Sequence, residues 1–280
     1  MEAPLVRAFL EALPDTSSDR RAVARVRSCL ASLQDPDVRY LVVALLGPEA
    51  AAVARVLSPV LQAAGAPTGI LGRSLADTTL SGSRLDDSLL ASAGTLAASA
   101  VYQLHESQPA LGEMGRREAV VLLGLIAFAE GGQRAVLLLD EEVAAGDPVH
   151  APMPDLVAIT GGTADAIARA VALVPQGRPA VAAALEGDAR SAVVSWEERS
   201  GSPLLLGGRD HEVREAEGRL SFVVRGEPYV SFDPVPGVDA AQLSCALASA
   251  LALGTLGIRM REEWLTSGLD ALRTRERVAP

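Results

Sequence analysis

Residues Tyr40–Gly72 read YLVVALLGPEAAAVARVLSPVLQAAGAPTGILG, and the fold turns on how this stretch is read. Tyr40–Leu46 is a continuous apolar run with β-branched members, short enough for a strand buried on both faces. Gly47-Pro48-Glu49 breaks the run. From Ala50 the apolar residues Val53, Val56, Leu57, Val60, Leu61 and Ala64 recur at intervals of three and four, so a helix follows with one face on the sheet. Pro48 suits the first helical position, since it has no amide hydrogen to leave unpaired and its φ is already helical. Gly65 ends the helix and Thr68–Leu71 starts the next strand. This is a βαβ unit, and its strand-to-helix turn is where such folds hold phosphate.

The turn has the wrong chemistry for that task. A phosphate loop needs glycines for close backbone approach, a lysine for the outer phosphates and a Ser or Thr for magnesium. Here Gly47 is followed by Pro48, Glu49 and three alanines. Glu49 sets a carboxylate at the positive end of the helix, where it favours the helix and repels a nucleotide's phosphates. A capped structural helix is the simpler reading. All 25 basic residues are arginine, with no lysine at any of the 280 positions. Chemistry that requires lysine is therefore excluded: Walker-type ATP binding, Schiff bases and carbamylated-lysine metal sites.

The length and the 49% hydrophobic content are enough for one substantial core. A formal charge of −10 without basic clusters argues against nucleic acid as a partner. Cys29 and Cys245 lie far apart in helical patterns and match no metal or redox motif. The first residues lack the apolar core of a signal peptide, and no apolar run is long enough to span a bilayer, so no membrane partner and a cytoplasmic location are expected.

Along the chain, Leu5–Leu13 and Asp19–Leu33 read as helices, and Asp35-Pro36-Asp37 turns into the central strand. Leu75–Arg84 is polar and reads as a surface loop, and Asp86 or Asp87 opens a helix to about Leu104. Glu118–Ala129 is a strongly apolar helix, followed by the strand Ala135–Leu139 and then Asp140-Glu141-Glu142. Acidic residues just past a strand's carboxyl end suit magnesium in an α/β crevice, and suit a solvated loop equally well. The strand Leu156–Ile159 runs into Thr160-Gly161-Gly162-Thr163. A helix then covers Asp165–Val174, the next strand is Ala180–Ala184, and another helix spans Asp188–Ser200. This alternation predicts an α/β fold with a mainly parallel, doubly wound sheet flanked by helices. A small antiparallel patch is expected over about 203–232, from Pro203–Leu206, Glu212–Glu215, Leu220–Arg225 and Pro228–Phe232. Two helices, Asp239–Leu256 and Arg261–Leu272, complete the chain.

Taken together, these pieces resemble the N-terminal, ATP-binding portion of folylpolyglutamate synthase, of the Mur ligase superfamily, over nearly the whole chain from Phe9 to Val278. The resemblance rests on Leu61-Gln62-Ala63-Ala64-Gly65 with Thr68-Gly69, and on Glu118 through Phe128-Ala129. It rests also on Ile159-Thr160 ahead of Asp165, Ile167-Ala168-Arg169 up to Gly177, and Gly268-Leu269. The family chemistry is ATP-dependent addition of glutamate to a folate carboxylate through an acyl phosphate, with two magnesium ions. Where the family carries its GTNGKGS loop this chain reads Leu46 to Ala52, with Ala50 at the lysine and Ala52 at the magnesium-binding serine. Gly72-Arg73-Ser74-Leu75 stands at the family's TSPH. Leu139 stands at a metal-binding glutamate, and Glu141-Glu142-Val143-Ala144 replace the glycines after it. Asp165-Ala166 replaces the DH pair, and Val171 lies near the carbamylated lysine.

Losses at nucleotide, metal and carbamate together imply a degenerate P-loop and a pseudoenzyme, with no catalytic residues, no metal ligands and no cofactor. The former nucleotide and metal site is expected at Gly47, Glu49, Asp140, Glu141, Thr160, Gly161 and Asp165. The alternative is an active ATP-dependent amide ligase with a rebuilt site, binding ATP and magnesium through arginines such as Arg73 or Arg169, with Asp140, Glu141, Glu142, Asp147 and Asp165 regrouped around a cation. A sensor that uses the old folate cleft is not separable from the pseudoenzyme by sequence. Residues 1–280 are expected to form a single domain without the family's C-terminal ligase domain. That expectation leads to a homodimer, or a heteromer with an active ligase paralogue, in which Asp239–Leu256 offers an apolar face through Leu243, Leu247, Ala250, Leu251 and Gly254. Simple packing of that helix on the sheet is the competing expectation.

Overall fold

The computed structural model describes residues 2–15 and 21–278. The first helices are α1 (Ala3–Ala12) and α2 (Ala22–Ser32). The start predicted for the second helix, at Asp19, lies outside the described residues. A 3-10 turn over Pro36–Arg39 leads into β1 (Leu41–Leu46), whose last five residues are all buried. The helix α3 (Ala50–Ala63) follows, then β2 (Thr68–Leu71). Leu75–Arg84 is not simply a loop: it carries β3 (Thr79–Leu80) and β4 (Ser83–Arg84), a small hairpin that pairs antiparallel with β2 through Gly69 opposite Leu80. Ser81 and Gly82 turn the hairpin at φ 48° and 84°.

Next come α4 (Asp87–Ser107), α5 (Arg116–Glu130), β5 (Ala135–Asp140), β6 (Leu156–Ile159), α6 (Ala164–Ala172), β7 (Ala180–Ala182) and α7 (Gly187–Ser200). Asp86 caps α4 by accepting the Leu89 amide at 2.8 Å. Every residue of α5 from Glu118 to Phe128 is buried, as its all-round apolar sequence requires. The chain continues through β8 (Leu204–Leu206), β9 (His211–Ala216), β10 (Arg219–Val224) and β11 (Glu227–Phe232) to α8 (Ala240–Gly254) and α9 (Glu262–Val278).

The main sheet is mostly parallel and eight-stranded, in the order β4-β3-β2-β5-β1-β6-β7-β8, beside a three-stranded antiparallel sheet β11-β10-β9. The α/β expectation holds, with one correction in the patch. The expected antiparallel group includes Pro203–Leu206, but β8 pairs parallel with β7, Val181 opposite Leu205. Three leucines in a row are what a strand covered on both faces needs, so the parallel sheet takes them.

Chain contacts divide the molecule into two compact units. The first comprises Met1–Val42, Pro67–Leu138 and Ala144–Met153. The second comprises Val43–Ala66, Leu139–Val143 and Pro154–Pro280. In the first unit, α1, α2 and α4 pack with α5 around a core that includes Val6, Leu30, Leu104, Leu122 and Phe128. The guanidinium of Arg25 lies inside it, bonded through Nε and Nη2 to Glu118 at 2.6 and 2.7 Å, with both side chains about 3% exposed or less.

In the second unit α3 packs against α8 and α9. Gly268 makes the α3–α9 approach close, since a Cβ there would stand 2.5 Å from the Val60 Cα. The α8 side chains Leu243, Leu247 and Ala250 are fully buried, and the helix packs on α3, β6, β7 and β9. Of the five residues expected to form an association face on this helix, Leu243, Leu247 and Ala250 thus lie inside the fold, while Leu251 and Gly254 are half-buried. Burial of a leucine contributes about 1.5–3 kcal/mol to the fold. Both cysteines are buried and free, and burial pushes their thiols up to about 12, for Cys29 with help from the charge of Glu118. No helix among the described residues is long and apolar enough to cross a membrane.

Candidate functional site: the turn after the first strand

The second unit brings together Gly47, Glu49, Asp140, Thr160 and Gly161, and the bonds between them are internal to the fold. The Gly47 amide donates to the Asp140 carbonyl at 2.9 Å. Gly47 sits at φ +114°, and a Cβ there would lie 2.5 Å from the Gly161 carbonyl oxygen and 2.9 Å from Thr160 Oγ1. Only glycine meets both demands. Thr160 is buried. Its amide donates to the Leu46 carbonyl at 2.7 Å, its hydroxyl donates to the same oxygen at 3.2 Å, and Oγ1 accepts the Glu49 amide at 3.2 Å.

Pro48 lies outside α3, contrary to its expected place at the first helical position. The helix starts at Ala50 with Glu49 as its N-cap residue, because the Ala50 amide turns back to the Gly47 carbonyl at 3.0 Å. The Glu49 carboxylate makes no cap bond. It accepts instead from Gln242 Nε2 at 2.7 Å. Gln242 also closes the capping box of α8: its Oε1 accepts the Asp239 amide at 3.1 Å, while Asp239 accepts the Gln242 amide at 2.8 Å. Arg55 donates to the Gly237 carbonyl beside it. The segment before α8 is thereby latched to α3 at two points.

Asp140 is buried at the end of β5, and its Oδ1 accepts the amides of Glu142 and Val143 at 3.1 and 2.9 Å. Such an Asx turn leaves that oxygen occupied by backbone. Val143 stands at φ +50°, a conformation that a β-branched residue resists. Its amide is held by Asp140, and its carbonyl accepts Arg169 Nε at 2.9 Å. The loop thus keeps a glycine-like backbone where the ligase resemblance puts glycines, but with a valine whose side chain is buried in the core.

Glu141 is exposed, and Asp165 is exposed in the first turn of α6, where a carboxylate favours the helix. Thr163, not Asp165, caps that helix, accepting the Ala166 amide at 3.3 Å. Among the described residues no three His, Cys, Asp or Glu side chains come together as a group that could hold a metal ion. Arg169, expected under the ligase alternative to hold phosphate, donates to the Val143 carbonyl instead. Sequence reasoning overlooked Gln242, whose readable signal was the spacing Asp239-x-x-Gln242 of a capping box.

Solved structures that share this mainly parallel architecture include folylpolyglutamate synthases. That from Lactobacillus casei matches with a TM-score of 0.79 at 17% identity, over 96% of this chain and 71% of that one. The Thermotoga maritima enzyme matches at 0.78 and 14%, over 96% and 66%. The Mycobacterium tuberculosis enzyme, solved with ADP, matches at 0.76 and 14%, over 96% and 65%. At these identities the likeness is one of fold. No protein-family model matches the chain, and no curated protein matches its sequence.

Proposed function

We propose that the chain is a folylpolyglutamate-synthase-like pseudoenzyme, a non-catalytic binding or regulatory protein built on the ligase fold. The observation that carries this reading is the use made of the turn. Thr160 and Asp140 are bonded to backbone, Glu49 is bonded to Gln242, and alanine stands at 50 and 52. A nucleotide triphosphate requires cationic or amide donors at its phosphates, and phosphoryl transfer loses orders of magnitude in rate without them. The residues present do not fit ATP and magnesium. Millimolar ATP with magnesium is expected to leave the melting temperature unchanged. Saturable binding with Kd below about 100 μM, roughly −5.5 kcal/mol, overturns the reading. A homodimer, or a heteromer with an active ligase paralogue, belongs to the same proposal. Sedimentation at micromolar concentration that returns only monomer mass removes the homodimer, and failure of any ligase to co-purify removes the heteromer.

A further inference from the structure

The first unit contains a cavity of about 390 Å³ whose walls come from α1, α4 and the segment ahead of α5. This lies within the ~300–1,000 Å³ range of small-molecule sites. Its apolar lining includes Phe9, Leu13, Leu104 and Met114. At the rim stand three polar side chains, those of Tyr102, His105 and Glu113. None of the three makes a side-chain hydrogen bond or ion pair with another described residue, and Tyr102 is 69% exposed. No arginine among the described residues lines the cavity, in a chain whose 25 basic residues are all arginine.

The walls are tied together by two arginines, Arg25 buried and Arg116 half-buried. Arg25, neutralised by Glu118, donates from Nη1 to the Leu111 carbonyl at 2.8 Å and so anchors the segment that carries Glu113 and Met114. The Arg116 amide donates to the Pro14 carbonyl at 2.9 Å, and its guanidinium reaches the Leu10 and Glu11 carbonyls at 3.2 and 3.3 Å, tying the end of α1 to the start of α5. A cavity held open by anchored backbone costs little to organise on binding.

We infer that this cavity binds a small apolar molecule bearing a primary or secondary amine, with its hydrocarbon body on Phe9, Leu13, Leu104 and Met114 and its ammonium group at Glu113. Among the described lining residues Glu113 is the one carboxylate and none is an arginine, which sets the sign of the ligand. An ammonium group gains an ion pair with Glu113, whereas a carboxylate or phosphate meets like charge. The ring and hydroxyl of Tyr102 add a cation–π face and an acceptor. The site is independent of the turn after β1, so the two readings stand or fall separately.

The test uses three probes of one shape, 4-phenylbutylamine, 4-phenylbutanol and 4-phenylbutyrate, titrated into the whole chain by calorimetry at pH 7. The expected order of affinity is amine, alcohol, acid, with the amine up to about fivefold tighter than the alcohol, the scale of one exposed ion pair. Glu113→Gln, on the exposed rim, is expected to bring the amine down to the alcohol. Ala98→Trp, and separately Ala12→Phe, fill the cavity and are expected to remove binding of all three while circular dichroism stays native. The proposal is overturned by any other order, by no saturable binding of the amine, by a Glu113→Gln variant that still prefers the amine, or by binding that survives in a folded cavity-filling variant.

Discussion

The Arg25–Glu118 pair of the first unit and the Asp140–Thr160–Glu49 turn of the second hold polar groups in opposite ways. In the first, two full charges neutralise each other inside an apolar core, and a further guanidinium donor goes to a backbone carbonyl. In the second, carboxylate and hydroxyl oxygens satisfy backbone amides at chain reversals. Charge paired with charge is exposed to the full desolvation penalty when one partner is lost, whereas an Asx or hydroxyl bond loses one or two ordinary hydrogen bonds. Residues at ligase-like positions can therefore persist because the loop needs them, without serving any reaction.

The largest expected effect belongs to the ion pair. Glu118→Ala leaves Arg25 charged in the core and is expected to destabilise the chain by about 3–5 kcal/mol in urea unfolding. The double variant Arg25→Met with Glu118→Leu is expected to recover most of that loss, because no unpaired charge remains. A single variant that costs under about 1 kcal/mol would mean that water reaches the pair, and the contrast with the turn would collapse.

Next come the turn residues. Gly47→Ala combines a positive φ with a Cβ against the Gly161 carbonyl, and is expected to cost about 3 kcal/mol. Asp140→Ala orphans the buried Val143 amide and is expected to cost about 2 kcal/mol, while Asp140→Asn keeps an acceptor and costs less. The Asp140 pair sharpens the comparison, since a structural carboxylate tolerates the amide. Loss of fold in both variants would show that its charge is needed.

His211 offers a pH test in the second unit. Its Nε2 donates to the Ala182 carbonyl at 3.1 Å, so Nδ1 is left to accept from the Ser244 hydroxyl at 2.7 Å, the neutral tautomer. Burial lowers its pKa below the usual 6.5, more than the hydrogen bonds to the Ala182 and Leu205 backbone raise it. A histidine whose folded pKa is depressed binds its proton preferentially when unfolded. Its contribution is complete above the unfolded value and is lost as pH falls below about 6.5 toward the folded pKa. Unfolding midpoints measured from pH 7.5 to 5 should fall, and His211→Gln should flatten that slope. An identical slope in the variant assigns the pH dependence to other groups.

How much of this was legible in the sequence follows from range. Leu41–Leu46 and Leu156–Ile159 announce themselves as short β-branched runs, and Asp86 or Asp87 as the start of a helix, because each signal is complete within a few residues. Thr79–Leu80 and Ser83–Arg84 are too short to show a period of two, and Ser81-Gly82 was their one cue. Leu204–Leu206 carried the continuous apolar signature of a parallel strand, but its nearness to β9 in sequence masked it. The apolar surround of α8 places Leu243, Leu247 and Ala250 in the core. The Glu49–Gln242 bond joins residues 193 apart and left no local trace.

That bond supports the smallest prediction. Glu49 is exposed, so its pairing with Gln242 is screened by water, and Glu49→Ala is expected to alter stability by about 0.5 kcal/mol or less. Its worth lies in what happens with ATP. Removing the carboxylate clears negative charge from the α3 N-terminus and frees the segment before α8, yet Ala50 and Ala52 still offer no cation and no hydroxyl. ATP with magnesium should therefore remain without effect on the melting temperature of the variant. A rise that saturates below millimolar nucleotide would identify Glu49 as a gate over a competent site. The turn would then be a shut door rather than a rebuilt wall, and the Asp140 variants would have to be measured again with nucleotide present.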